Sequence, residues 1–446
     1  MERILSLLQE KRYSEIKEFL SGLHAADIAE FFDEIGDSEQ ALRLFRLLDK
    51  ETAADVFAYM EPAAQQTLVE ALTDTELKYI LENMYLDDFI DLAGEMPANV
   101  VQRVMKNAGR ENRSLINQYL NYPDDSAGSI MTNEYVYFKR TATVQEGFDV
   151  IRKTGLDKET VYTCYVIDNV RHLLGEVSVL DMLLADPGTP IESIQKPNPV
   201  VVHTLDDQEN VAKLFQKYDM LAMPVVDKEE RLVGIITIDD AVDVLQEENT
   251  EDFEKMAGMA PSDDAYLQTP VWKLAKNRIV WLLILMVSAM ITGAMLENYE
   301  AAIAAIPLLV SFIPMLMDTG GNSGSQASTM IIRGMALVVI RPQDFFKVWF
   351  KELRVALICG GVLSAVNFVR ILLQYNDFGV ACIVSVTLLV TVVIAKSLGC
   401  MLPMLARRLR LDPAITASPM LTTIADACTI FVFFTLATRF LSDRLS

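Results

Sequence analysis

One carboxylate stands in the middle of an apolar run near the C-terminal end of the sequence. The run "SPMLTTIADACTIFVFFTLA" (residues 418–437) carries Asp426 among small and apolar residues, and no basic residue in the run neutralises it. A charged group at bilayer depth costs at least about 2.5 kcal/mol, so Asp426 must face a polar partner, water or an ion rather than lipid. We interpret the pattern as a cation path. The alternative is an acid that hydrogen-bonds a neighbouring Ser or Thr and serves packing.

A second apolar run contains two prolines and leads into a polar segment. In "PLLVSFIPMLMDTGGNSGSQAST" (residues 307–329), Pro307 and Pro314 are expected to interrupt the helix and free backbone carbonyls. Broken backbone at membrane depth is tolerated only where protein or a water-filled cavity satisfies it. Gly320 and Gly324 also have the spacing of a tight helix contact, so packing is an alternative that is compatible with the first. Polar groups suited to a wet lining follow at Asn322, Ser323, Ser325 and Gln326.

The charge of the chain is divided unevenly between its two halves. Residues 1–270 hold 52 of the 61 acids and 24 of the 39 bases, whereas residues 271–446 hold 9 acids and 15 bases. The first half therefore repels nucleic acid and anionic lipid, and its natural small partners are cations. A hydrophobic content of 51% and a mean hydropathy of +0.24 indicate a membrane part.

Five apolar spans are expected in the second half. Several approach the roughly 20 residues that cross a bilayer, and the spans lie near 279–296, 301–317, 355–373, 379–405 and 419–441. Basic residues occur before the first span, between the second and third, and before the fifth, whereas the alternate loops carry none. The positive-inside rule then predicts a multi-pass protein of the inner or plasma membrane, with a cytoplasmic N-terminus and an external C-terminus.

The N-terminal half contains two kinds of pattern. Residues 1–127 read as short amphipathic helices, which predicts an all-α superhelix of stacked hairpins. Residues 131–250 then contain a repeat with an offset of 59 residues, and each copy reads strand, turn, strand, helix. The signature Gly-x-x-(Ser/Thr)-x-x-Asp occurs in both copies, and the segment resembles a tandem pair of CBS domains (131–190 and 191–250). The signature residues are Gly175, Ser178, Asp181, Gly234, Thr237 and Asp240.

The domain order and the two membrane motifs resemble the MgtE family of magnesium channels. The motifs are "PMLMDTGGNSGSQAST" and "LDPAITASPMLTTIAD", and the resemblance covers essentially the whole chain. It implies a homodimer in which spans two and five of both subunits line one pore. It also implies that Asp426 of both subunits holds Mg2+, with backbone oxygen from Thr422 and with Asp412 near the cytoplasmic mouth. Relatives have Asn-Pro where this chain has Ser418-Pro419.

We therefore predict a multidomain membrane protein. Its parts are the helical domain (1–127), the α/β CBS pair (131–250), an acid-rich plug or connector helix (240–270) and a five-helix transmembrane domain (271–446). The resemblance implies that cytosolic Mg2+ binds acids of the first three parts and closes the pore. The implied ligands are Asp55, Asp87, Asp91, Asp207, Glu209, Asp219, Asp240, Asp243, Glu248, Glu251 and Asp252.

Several alternatives accompany these assignments. Each of the surface acids can belong to a solvated helix face. Ser178 with Asp181, and Thr237 with Asp240, have the spacing of helix caps, although CBS relatives bind adenosine nucleotides such as ATP through this motif. A CBS-regulated divalent-cation exchanger is the alternative function. No P-loop, HExxH motif or nucleophile–base pair indicates an enzyme.

Overall fold

A computed structural model describes residues 4, 7, 10–33, 35, 38–109, 113, 115–116, 119–262, 266–267, 269–416 and 418–440. The chain divides into two compact units, residues 1–245 and residues 246–446. Each unit has its own core and is described separately below.

The first unit begins with an array of short helices. They are α1 (Tyr13–Leu20), α2 (Ala25–Asp33), α3 (Ser38–Phe45), α4 (Lys50–Ala58), α5 (Pro62–Ala71), α6 (Asp74–Asn83), α7 (Leu86–Glu95) and α8 (Ala98–Asn107). Local residues set where the helices begin: Thr73 and Glu76 form a capping box before α6, and Pro62 opens α5. Helix α4 packs against both α2 and α6. This alternation is typical of stacked helical hairpins.

Two small sheets follow the helical array. The first has the order β1 (Tyr135–Lys139), β2 (Thr160–Ile167), β3 (Leu173–Ser178), β4 (Lys196–Pro197), and the second β5 (Val202–His203), β6 (Ala222–Val226), β7 (Leu232–Thr237). In each sheet the first pair is parallel and the second antiparallel. The associated helices are α9 (Val144–Thr154), α10 (Val179–Leu184), α11 (Ile191–Ile194), α12 (Gln208–Tyr218) and α13 (Ile238–Met256).

The sequence repeat corresponds to a repeated turn. Asp168 Oδ1 accepts hydrogen bonds from the backbone N–H groups of Val170 and His172. Asp227 Oδ1 does the same with Glu229 and Arg231 in the second copy. Each turn joins two antiparallel strands, and a helix follows the second strand. The predicted order of strand, turn, strand and helix is therefore present in both copies.

The helical array and the second CBS copy share one hydrophobic core. Phe57 and Phe89 of the array belong to the same buried cluster as Phe215, Ile236 and Val244 of the second copy. The first copy has a separate cluster. Shared burial of apolar area fixes the array against the start of α13, and this brings acids of both elements close together.

The second unit consists of long apolar helices and one broken segment. The helices are α14 (Val271–Glu297), α15 (Glu300–Ala305), α16 (Ile313–Ala336), α17 (Phe345–Tyr375), α18 (Phe378–Arg408) and α19 (Ser418–Phe440). Within the described residues, four segments are long and apolar enough to cross a membrane: Val271–Glu297, Pro342–Tyr375, Phe378–Arg408 and Pro413–Phe440. They coincide with four of the five expected spans. The count of five stays a prediction.

The expected second span, 301–317, needs correction. It falls on α15, on a 3-10 turn at Pro307–Phe312 and on the first residues of α16. The expected interruption at the two prolines is present, because the 3-10 turn Pro307–Phe312 separates α15 from α16. Pro314 lies in the first turn of α16, where a missing N–H is tolerated. The polar segment that follows continues the same helix to Ala336. Its polar side chains lower the mean hydropathy of α16, and this explains why α16 is absent from the apolar group.

Glycines allow close contact of α16 with its neighbours. A Cβ atom added to Gly399 of α18 would lie 2.4 Å from the backbone oxygen of Gly324, and one added to Gly324 would lie 2.9 Å from Leu421 Cδ2 of α19. The predicted packing role of Gly324 is therefore supported by geometry. Helices α18 and α19 can both approach α16 closely at Gly324, because α16 has no side chain at that position.

We predict that Gly399→Ala destabilises the membrane unit. The added methyl group meets backbone, which cannot turn away, and overpacking of this kind costs about 1–3 kcal/mol. Thermal unfolding of the purified protein should show a lower Tm. Gly361→Ala is the matched control, because a Cβ atom there has nothing within 4 Å. Equal Tm values for the two variants would refute the close contact.

Candidate ion path and regulatory sites

A polar stripe runs along one face of α16. Asp318, Asn322, Gln326 and Thr329 are exposed and follow each other at helical spacing, whereas Gly320, Gly324 and Ala327 on the other side are buried. An exposed ionisable group on a membrane helix cannot face hydrocarbon at low cost. The stripe therefore requires water or polar protein beside it. Asp318 belongs to the motif "PMLMDTGGNSGSQAST", but its position in the sequence alone gave it no role.

Asp318 is the electrostatic neighbour of Asp426. Asp426 is half-buried on α19, which packs against α16, and the charge of Asp318 acts on it directly. Two like charges at this depth repel, and a cation between them removes the repulsion. The structure thus places a second acid, Asp318, beside Asp426.

Thr422 lies one turn before Asp426, at a close contact between α16 and α19. Its hydroxyl donates a hydrogen bond to the Pro419 backbone oxygen at 2.9 Å. A Cβ atom on Gly321 would lie 2.9 Å from Thr422 Cγ2. The side chain therefore serves the helix and its packing, and the expected role of Thr422 toward an ion rests on its backbone oxygen. The side chain of Ser418 lies outside the described residues.

Asp412 precedes the 3-10 turn Pro413–Thr416 that leads into α19. Its Oδ1 accepts from the backbone N–H of Ala414 at 2.8 Å. Its Oδ2 is 2.7 Å from Lys255 Nζ. Both oxygens of this predicted pore-mouth acid are thus already engaged by groups of the chain.

In the first unit the structure adds an acid that was not predicted, Asp88. Burial, and after it the neighbouring charges of Asp240, Asp239 and Asp55, together raise the pKa of Asp88 to about 6. Two acids predicted as ligands, Asp55 and Asp240, are therefore neighbours of one that was missed. The side chains of Asp87 and Asp91 lie outside the described residues. Helical phase could have indicated Asp88, since it lies one turn before the buried Leu92.

Three of the other predicted ligands lie on helix α12 or at its ends. Asp207 caps α12 by accepting from the Asn210 N–H at 3.1 Å, and Glu209 pairs with Lys213 on the same helix. Asp219 ends α12 in the left-handed region, at φ 51°. Glu248, Glu251 and Asp252 lie along the later turns of α13.

Asp243 also lies on α13, and both burial and the charge of Asp239 raise its pKa. Within the described part of the chain, no three His, Cys, Asp or Glu side chains form a ready metal cage. Mg2+ binds oxygen and keeps several of its waters, so neighbouring acids can hold it without such a cage.

The signature residues of the CBS copies start helices. Ser178 Oγ donates to Asp181 Oδ2 at 2.6 Å and accepts from the Asp181 N–H. Thr237 Oγ1 donates to Asp240 Oδ2 at 2.7 Å. The alternative interpretation of this motif, a helix cap, is therefore present in the geometry of both copies.

Comparison with known proteins decides the family. Three family models match in chain order: the MgtE intracellular N domain at residues 23–125, a CBS domain at 191–247, and MgtE, a divalent cation transporter, at 313–436. The magnesium transporter MgtE of Thermus thermophilus is 35% identical over 434 residues, which cover 96% of each chain. The chain belongs to the MgtE family of magnesium transporters.

Two solved structures resemble a part of this chain. One is the cytosolic domain of the Mg2+ channel MgtE in complex with ATP, with 36% identity, a TM-score of 0.51, and coverage of 54% of this chain and 98% of that one. The other is the soluble part of a magnesium transporter, with 30% identity, a TM-score of 0.52, and coverage of 55% and 97%. The chain is a multidomain, multi-pass membrane protein, and its full-length relatives are named as transporters rather than enzymes.

We predict that Asp88→Asn stabilises the first unit at neutral pH without divalent cations. The pKa of Asp88 is higher in the folded unit than its ordinary value of 3.8. The protonated carboxyl therefore contributes fully to the stability of the folded unit below about pH 3.8, and this contribution is lost as the pH rises through about 6. Calorimetry at pH 7.5 in EDTA should show a higher Tm for the transition of the first unit, by the equivalent of about 1–3 kcal/mol, with the difference vanishing near pH 4.

Mg2+ should raise the Tm of Asp88→Asn less than that of the unaltered protein, because one anionic neighbour of the ion is gone. Asp157→Asn, at an exposed position of the first CBS copy, is the matched control. A pH dependence identical in both variants would contradict the assignment.

Proposed function

We propose that this MgtE protein is a channel for Mg2+ uptake across the plasma membrane. The observation that carries the proposal is the polar stripe of α16 beside Asp426 of α19. Mg2+ wants six oxygens in an octahedron and sheds water reluctantly. A path that offers few carboxylates and much hydroxyl and amide surface lets the ion keep most of its waters and leave again.

The pore requires a second copy of the chain. Asp318, Asn322 and Gln326 are exposed on a membrane helix, and a homodimer that places these faces around one axis would cover them. Asp426 would then contribute two carboxylates to one ion, together with the backbone oxygen of Thr422. Asp412 stands at the cytoplasmic side of this path.

Cytosolic Mg2+ closes the pore in this proposal. Asp88, Asp55 and Asp240 are acids that folding brings together, and at an effective dielectric near 20 a pair about 4 Å apart costs about 4 kcal/mol before screening. A divalent ion between the acids replaces this repulsion with attraction. The remaining predicted acids of the CBS pair and connector join the same response, so that high Mg2+ compacts the cytosolic part and low Mg2+ releases the pore.

The orientation and a nucleotide response complete the proposal. The acidic first half of the chain, with its N-terminus, is cytoplasmic and the C-terminus is external, as the positions of the basic loops require. The solved relative with ATP supports ATP as a modulator of the CBS pair. Asp181 and Asp240 are the candidate contacts, and a nucleotide there would have to share them with the hydroxyls of Ser178 and Thr237.

A divalent-cation exchanger is the second candidate. The observation that favours it is a buried ion pair between membrane helices, in which Lys396 Nζ of α18 is 3.9 Å from Glu352 Oε2 of α17 and their side chains are 6% and 16% exposed. Buried ionisable pairs of this kind occur in proton relays. Unitary currents under a Mg2+ gradient separate the two, because stoichiometric exchange produces none.

We predict that Asp426→Ala abolishes Mg2+ uptake and leaves a folded protein. The change removes the carboxylate that attracts the ion while leaving the neighbouring helix contacts in place. Uptake into proteoliposomes measures the loss, and size-exclusion chromatography checks the assembly. Asp377→Ala is the control, an acid that caps the start of α18. Normal uptake by Asp426→Ala would end the proposal.

A further inference from the structure

A lysine of the connector helix lies between two acids that sequence analysis assigned to different Mg2+ sites. Lys255 Nζ is 2.5 Å from Glu251 Oε1, four residues earlier on α13, and 2.7 Å from Asp412 Oδ2. Glu251 was predicted as a regulatory ligand and Asp412 as a pore-mouth ligand. One ammonium group joins both carboxylates.

The three side chains are partly shielded from water. Their exposed fractions are 20% for Lys255, 29% for Asp412 and 38% for Glu251. Burial lowers the pKa of Lys255, but the hydrogen bonds to Asp412 and Glu251 together outweigh burial and raise it. The lysine therefore stays charged at neutral pH, and partly buried charges are screened less by salt than fully exposed ones.

Asp412 has little left to offer a metal ion while this contact exists. Its Oδ1 accepts from the Ala414 backbone N–H and its Oδ2 faces the ammonium. Mg2+ at Oδ2 would have to compete with the ammonium group of Lys255. The acid and the lysine are thus a closed pair in this structure.

The end of the connector is tied to the membrane unit at two further points. Gly258 adopts φ +72°, and a Cβ atom there would lie 3.1 Å from Pro419 Cγ in the first turn of α19. The backbone N–H of Ala260 donates to the Asn277 oxygen of α14 at 3.0 Å. All of these contacts lie within residues 246–446, so Lys255 acts where the connector meets the helix that carries Asp426.

We propose that Lys255 is a built-in cation that docks the connector helix at the start of α19 when Mg2+ is absent. Its consequence for gating rests on the proposed function: cytosolic Mg2+ acts through the other acids, whereas this contact persists without the ion. Without the lysine, the two negative charges of Glu251 and Asp412 would repel each other. The connector helix would then need a divalent ion to dock at the start of α19.

The test is cleavage of the full-length protein by chymotrypsin after Phe253, which is exposed on α13. The cut requires the end of the helix to open, so its rate reports docking. Lys255→Gln should be cleaved about tenfold faster than the unaltered protein in EDTA, a factor that corresponds to about 1.4 kcal/mol. In excess Mg2+ the two rates should converge, since the ion then joins Glu251 and Asp412.

Two variants provide matched comparisons. Lys78→Gln makes the same charge change at an ion pair on its own helix, with Glu82, and should leave the rate unchanged. The exchanged pair, Lys255→Asp with Asp412→Lys, should restore slow cleavage in EDTA.

Cleavage of Lys255→Gln at the unaltered rate in EDTA would overturn the inference, and so would a faster rate that Mg2+ does not correct. If Lys255→Gln does not fold, the exchanged pair decides: slow cleavage supports the contact and rapid cleavage rejects it. Failure of the proposed function is separate, because it appears as Mg2+ uptake by Asp426→Ala and leaves this proteolysis unaffected.

Discussion

An ionisable side chain on a membrane helix needs water or a counter-charge, and this requirement governs the second unit. Asp318 and Asp426 carry like charges on two helices that pack together, and neither can face lipid at low cost. Glycines at 321, 324 and 399 bring α16 against α18 and α19. The close packing on one side leaves the polar side of α16 uncovered, which is the surface that a partner subunit and an aqueous path would occupy.

Acids also meet outside the apolar helices, with a different outcome at each place. Asp88 is held near three other acids by a hydrophobic core that the helical array shares with the second CBS copy. That arrangement is costly without a cation and so can respond to Mg2+. At Glu251 and Asp412 the chain supplies its own cation, Lys255. In our proposals the first arrangement senses metal, and the second holds without it.

The patterns that predicted the fold are those with a clear period or a clear repeat. Alternation and turn residues located the strands of both CBS copies, and apolar length located four of the membrane segments. The bounds of the second span were wrong, because residues 301–317 are not one helix and α16 continues through the polar segment to Ala336. Composition reports how polar a segment is, but not on which face of a helix its polar groups lie. The two prolines correctly predicted an interrupted helix, with Pro307 at the start of the 3-10 turn and Pro314 in the first turn of α16.

The candidate site was less predictable, because it depends on tertiary neighbours. Motif matching selected Asp87 and Asp91, whereas helical phase places Asp88 beside the buried Leu92. The contact of Lys255 with Asp412 joins residues far apart in sequence, and no local pattern announces it. The role of Asp318 follows from the packing of α16 on α19, which apolar periodicity alone does not give.

Cysteine accessibility along α16 tests the central claim most directly. In a background without the five native cysteines, Asn322→Cys and Gln326→Cys place thiols on the polar stripe, and Val362→Cys places one on the exposed apolar face of α17. In membrane vesicles, a water-soluble thiol reagent should modify the first two and spare the third, and Mg2+ should slow the reaction. Modification of all three at one rate, or of none, would contradict an aqueous ion path along this helix.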